Sequence, residues 1–138
     1  MGNSVDSALS QFGLPARTAD RLTIISSLQE QIRREADEEG DQFLMRLLCA
    51  QLFSLGVVND SLLIWAAKSC NFDTSLGIDV QFLCGAGLEL TKNFLKTNGS
   101  DASLEALKYL TECEASGDFR EFSVAVVLQQ AKDFYCVA

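Results

Sequence analysis

One stretch constrains this chain more than any other: Ile78 to Leu95, IDVQFLCGAGLELTKNFL, long, apolar, central and interrupted by Gly85-Ala86-Gly87. Read as a helix, it places Leu83, Ala86, Leu90 and Phe94 on one face at intervals of three and four. Two glycines inside a helix cost roughly 1 kcal/mol each relative to alanine. Such a cost needs a compensation, and a close helix crossing, centred on Gly87, supplies one because small residues let a second backbone approach. The alternative is that Gly85 or Gly87 breaks the stretch into two short helices. On either reading the rest of the chain docks here.

Elsewhere the spacing is helical throughout. Ser4 to Phe12 forms a short amphipathic helix with Val5, Ala8, Leu9 and Phe12 on one side and Gly13 after it, a terminal helix that residues 1–13 can leave loosely attached. Pro15 suits a first helical turn, and from there to Glu39 the positions Leu22, Ile25, Leu28 and Ile32 make one stripe. That helix ends in a cluster of acids that oppose its macrodipole, which predicts fraying before a Gly40 cap. Asp41 caps the next helix, Gln42 to Leu55, which is apolar almost all round, with Arg46 and Gln51 as its interior polar breaks. Such a helix belongs in a core and is too short and interrupted to span a bilayer.

Asn59 or Asp60 caps a helix to about Cys70 that contains Trp65, a core anchor unless exposed, in which case it is an interface hot spot. Residues 71–77 read as the longest loop, and Asp79 as the cap of the long apolar stretch after it. Ser100 or Asp101 opens a helix carrying Leu104, Leu107 and Leu110, and a last helix runs from about Glu121 to Tyr135. The expected fold is therefore all-α: one domain over residues 1–138, a compact irregular orthogonal bundle of about six helices, or seven with the N-terminal one. Asp60-Ser61-Leu62-Leu63 and Asp101-Ala102-Ser103-Leu104 open helices some 40 residues apart, the scale of HEAT-type helical hairpins. Three such repeats do not fit, which favours the bundle.

Composition excludes several chemistries. A 138-residue chain that is 48% hydrophobic can bury a core. Its net charge of −8 argues against gripping nucleic-acid phosphates or an anionic membrane. Histidine is absent, so Ser-His-Asp and Cys-His catalysis, histidine-ligated zinc and a histidine pH switch are absent with it. The five cysteines, Cys49, Cys70, Cys84, Cys113 and Cys136, form no Cys-x-x-Cys pair and sit among apolar neighbours. They read as buried thiols of a reducing, cytoplasmic protein. The N-terminus lacks a secretory pattern, Gly2 lacks the Ser or Thr that myristoylation wants where Asp6 stands, and Cys136 lies one residue too near the end for prenylation.

Local motifs fail on their spacing. Leu55-Gly56 and Asp60-Ser61-Leu62 resemble the serine-bearing helix start of acyl carrier proteins, but the acidic recognition helix expected next reads LIWAAKSC. Asn71 to Phe82 puts Phe72, Thr74 and Leu76 where a calcium loop needs oxygen ligands and Phe82 where it needs glutamate. Gly85-Ala86-Gly87 lacks the lysine of a phosphate loop. No cofactor, metal ligand set or catalytic group emerges; Cys84, beside the glycines, is the one thiol placed to act as a nucleophile. Asp73, Asp79, Asp101 and Asp118 read as helix caps.

Two acidic runs remain. Residues 30–41 hold six acids against Arg33 and Arg34, a net of −4, and residues 101–121 hold six against Lys108 and Arg120, again −4. If they share a face, they steer a basic protein partner. The candidate contact residues are Glu35, Asp37, Glu38, Glu39, Asp41, Glu112, Glu114 and Asp118. The expected function is a non-catalytic protein–protein interaction module of adaptor, inhibitor or immunity type. The alternatives are a small histidine-independent enzyme using carboxylates or Cys84, and a structural subunit of a homo-oligomer with an apolar patch at Trp65 or the last helix.

Overall fold

In the computed structural model, which describes residues 4–138, all regular structure is helical and no strand occurs among the described residues. Eight α-helices follow one another: α1 (Ser4–Phe12), α2 (Arg21–Glu35), α3 (Gln42–Leu55), α4 (Ser61–Lys68), α5 (Phe72–Gly77), α6 (Leu88–Asn98), α7 (Asp101–Ala115) and α8 (Val124–Phe134). Short 3₁₀ turns occupy Thr18–Asp20, Val58–Asp60 and Val80–Cys84. The all-α class is as the periodicity predicts, with more helices than the expected six. Gly2, weighed as a lipid-anchor position, lies outside the described residues.

The chain is organised around α3, not around Ile78–Leu95. Met45 and every residue from Leu47 to Phe53 are buried, and α1, α2, α4, α5, α8 and the 80–84 turn all pack on this helix. A helix surrounded on all sides can be apolar on all sides, which accounts for its composition. Its polar break Gln51 serves α1: Nε2 donates to the carbonyl of Ala8 in its last turns (3.2 Å) and to that of Gly13 just past its end (2.9 Å). Flipping that amide would point an oxygen at two carbonyls, so the orientation is set even though Oε1 is buried with no partner among the described residues.

The stretch Ile78–Leu95 is not one helix. Asp79 caps the Val80–Cys84 turn by accepting from the Gln81 amide at 2.8 Å, and α6 starts afresh at Leu88. Gly87, with φ +101° and ψ 154°, makes that break, in a conformation that residues with a β-carbon avoid. The expected common face dissolves with it: Leu83 is buried whereas Leu90 is exposed. The close approach exists, but at Gly85, where a β-carbon would lie 2.5 Å from the Phe53 carbonyl oxygen; nothing lies within 4 Å of one at Gly87.

Other boundaries moved for local reasons. α2 begins at Arg21, after extended Arg17 (φ −93°, ψ 140°), so Pro15 lies outside it. It ends at Glu35, short of the expected Glu39, and the acids beyond it close in a turn. The Glu38 amide bonds the Glu35 carbonyl and the Glu39 amide the Arg34 carbonyl, with Glu38 at φ 58° in the left-handed position expected of Gly40. α8 starts after Ser123, whose hydroxyl accepts from the Val126 amide, because Glu121 turns the chain at φ 60°. Asp60 is buried in a two-pronged pair with Arg21 (2.6 and 2.8 Å) that ties α2 to α4. The neighbouring Ser61 hydroxyl is buried too and donates to the Leu83 carbonyl at 3.0 Å, so this serine offers no attachment point of the carrier-protein kind.

Candidate interaction face around α5

Within residues 71–77, expected as a loop, Phe72–Gly77 form α5 and Asn71 is its N-cap. Asn71 and Thr74 make a reciprocal capping box, the Asn71 side chain accepting from the Thr74 amide at 2.9 Å and the Thr74 hydroxyl accepting from the Asn71 amide at 3.1 Å. At the far end the Lys68 ammonium donates to the carbonyls of Ser75 and Ile78, at 2.5 Å each. A cation on the C-terminal carbonyls satisfies them and complements the helix dipole. Lys68 is only 4% exposed; its burial lowers its pKa, an effect that Asp79 opposes. Six residues are too few for a helix that stands alone, so α5 depends on these two end fixtures.

The result is a helix with Thr74 and Ile78 turned into the core and two large apolar side chains turned out. Phe72 is 76% exposed and Leu76, one turn later, is 70% exposed. Single exposed leucines are ordinary, but an aromatic–aliphatic pair on one turn is a presented surface.

The acidic runs meet this surface at its two ends. Glu35 Oε2 accepts from Asn71 Nδ2 at 2.7 Å, which fixes the first run at the start of α5, with Asp37, Glu38 and Glu39 in the exposed turn beyond Glu35. The second run arrives through Asp118, whose carbonyl accepts from Gln81 Nε2 at 2.8 Å. Asp118, Asp79, Leu76 and Tyr109 line a cleft of about 340 Å³ whose one cation, Lys68, is engaged with the helix carbonyls. Exposed Asp73 stands between, on α5 itself.

Not all eight candidate acids are gathered there. Asp41 caps α3, its Oδ1 accepting from the amides of Phe43 (3.0 Å) and Leu44 (3.1 Å). Glu114 pairs with Lys92 at 2.8 Å and braces α7 against α6, while Glu112 is exposed on α7. Of Asp73, Asp79, Asp101 and Asp118, also read as caps, only Asp79 is one. Asn71 and Ser100 perform that role ahead of Asp73 and Asp101, and Asp118 comes after the end of α7 rather than before a helix.

Cys84 is fully buried, and burial pushes its thiol up to about 12, so it holds its proton at neutral pH. Burial raises the Cys49 thiol as well. Among the described residues no group of three or more Cys, Asp or Glu is placed to hold a metal ion, and no helix is long and apolar enough to cross a membrane. The sequence reading missed Phe72, Leu76 and Lys68. The signal open to it was Asn71-x-x-Thr74, a capping box written without its usual Glu or Gln. Compared with protein-family models, curated proteins and solved structures, the chain matches none.

Proposed function

We propose that this protein is a non-catalytic interaction module, of adaptor, inhibitor or immunity type, that docks a basic protein partner on the acidic face around α5. The observation that carries the reading is the exposed Phe72–Leu76 pair bracketed by Glu35 with its acidic turn at one end and Asp79 and Asp118 at the other. The two features divide the labour of binding. Covering an exposed phenylalanine or leucine contributes about 1.5–3 kcal/mol each, which lengthens residence. Solvent-facing acids around them accelerate encounter with a positive surface and disfavour acidic competitors. A reducing, cytoplasmic setting suits the five free thiols.

The test compares three baits in lysate of the native source: the wild type, Phe72→Ser with Leu76→Ser, and Glu38→Lys with Glu39→Lys. A protein retained in stoichiometric amount by the wild type, lost from both variants and released as salt rises, supports the module. Retention indifferent to salt and to both pairs of substitutions overturns it. All four positions are exposed, so the melting temperatures should stay close to that of the wild type.

A further inference from the structure

Arg46, the one charge inside apolar α3, is unexplained by the acidic face. Its guanidinium carbon lies over the Phe134 ring, 4.3 Å from the ring centre, a cation–π contact. Arg17, Arg21, Arg33 and Arg34 each pair with a carboxylate, whereas among the described residues none lies within ion-pair distance of Arg46 or of Arg120, and of these two it is Arg46 that lies against a cavity. Two cavities share Arg46, Phe134 and Tyr135 in their walls. One, of about 230 Å³, lies between α3, the Gly77–Phe82 segment and α8, with Phe82, Val127, Ala131 and Tyr135 among its walls. The other, of about 260 Å³, is bounded by Val5 and Phe43 together with Arg46, Phe134 and Tyr135.

A cation–π contact commits none of the five N–H donors of a guanidinium to a hydrogen bond, and their fork matches a carboxylate in two-pronged geometry. We infer that the first of these cavities binds a small monocarboxylic acid with an aryl or branched-alkyl body, its carboxylate on Arg46 and its body against Phe82, Val127 and Ala131. The volume falls below the roughly 300–1,000 Å³ of drug-sized sites, which limits the body to one ring or a short branched chain. Asp79 also lines the cavity, with one oxygen accepting from the Gln81 amide. A second negative charge on the ligand would face that carboxylate, so a dicarboxylate or phosphate is disfavoured.

The test is a titration of the ¹⁵N-labelled protein followed through the Arg46 side-chain Nε–H and the α8 amides. The probes are 3-phenylpropanoate, its uncharged amide 3-phenylpropanamide, inorganic phosphate and a short peptide ending in a free phenylalanine carboxylate. The acid should give a saturable shift, with the amide at least about tenfold weaker and Arg46→Met weakening the acid by a similar factor. Equal binding of acid and amide, or no saturable shift with the acid into the millimolar range, overturns the assignment. Binding of the peptide alone also overturns it, by giving the site to a chain terminus. The acid–amide comparison on the wild type decides the matter even if Arg46→Met fails to fold.

Discussion

The carbonyl oxygen of Phe53 occupies the place where a side chain on Gly85 would begin: a β-carbon there would lie 2.5 Å from it and 3.1 Å from the Phe53 Cα. The end of α3 and the 80–84 turn therefore touch backbone to backbone. Gly85→Ala should cost about 1–3 kcal/mol, because the atoms in its way are main chain and cannot swing aside. Gly87→Ala should cost a similar amount through its φ of +101° alone, since nothing lies within 4 Å. Denaturant midpoints test both, and a D-alanine introduced by ligation at 87 should recover most of the loss there. Midpoints unchanged by either L-alanine substitution would count against this account of the two glycines.

Lys68→Met keeps the length of the side chain and removes its donors, leaving the Ser75 and Ile78 carbonyls without their partner. Each buried carbonyl so orphaned costs about 1–3 kcal/mol unless the helix end opens to water. The expected result is a lower midpoint together with faster amide exchange across residues 72–78, while α3 stays protected. On the proposed function, in which a partner docks on Phe72 and Leu76, its binding should weaken even though position 68 is buried. Exchange rates in α5 equal to those of the wild type would refute its dependence on Lys68.

The buried thiol of Cys84 and the Tyr135 phenol give a pH signature with a definite sign. Each is raised to about 12 by burial, so the folded state holds protons that the unfolded chain gives up from about pH 9 and 10. Their contribution to stability is complete below those unfolded values and is lost as pH climbs towards 12. Lys68, lowered by burial, pulls the other way over a window below 10.5, where the unfolded chain binds the extra proton. Stability should therefore decline above about pH 9, and Cys84→Ala should make that decline shallower by up to about 1.4 kcal/mol per pH unit.

With a thiol reagent at about pH 8, near the ordinary thiol pKa, exposed Cys136 should react fast and half-buried Cys70 slowly, with Cys49, Cys84 and Cys113 silent. Rapid labelling of Cys84 would reopen the nucleophile reading.

The sequence by itself determined the helical class, the limits of α1 and α3, the Asp41 and Asp79 caps, and a break within Ile78–Leu95 as one of two open readings. These rest on apolar spacing, capping side chains and glycine, interactions that span a few residues. Only the tertiary structure decided that α3 is the centre, that Gly85 rather than Gly87 makes the close approach, and that residues 72–77 are a helix with Phe72 and Leu76 outward. It also sorted the acids into those that cap or brace, such as Asp41 and Glu114, and those left facing solvent, such as Asp37 and Glu38. The physical reason is range. α5 is secured partly by a bond from Glu35, 36 residues away in the chain, and the exposure of a side chain depends on what the rest of the fold places over it. No window of neighbouring residues contains that information.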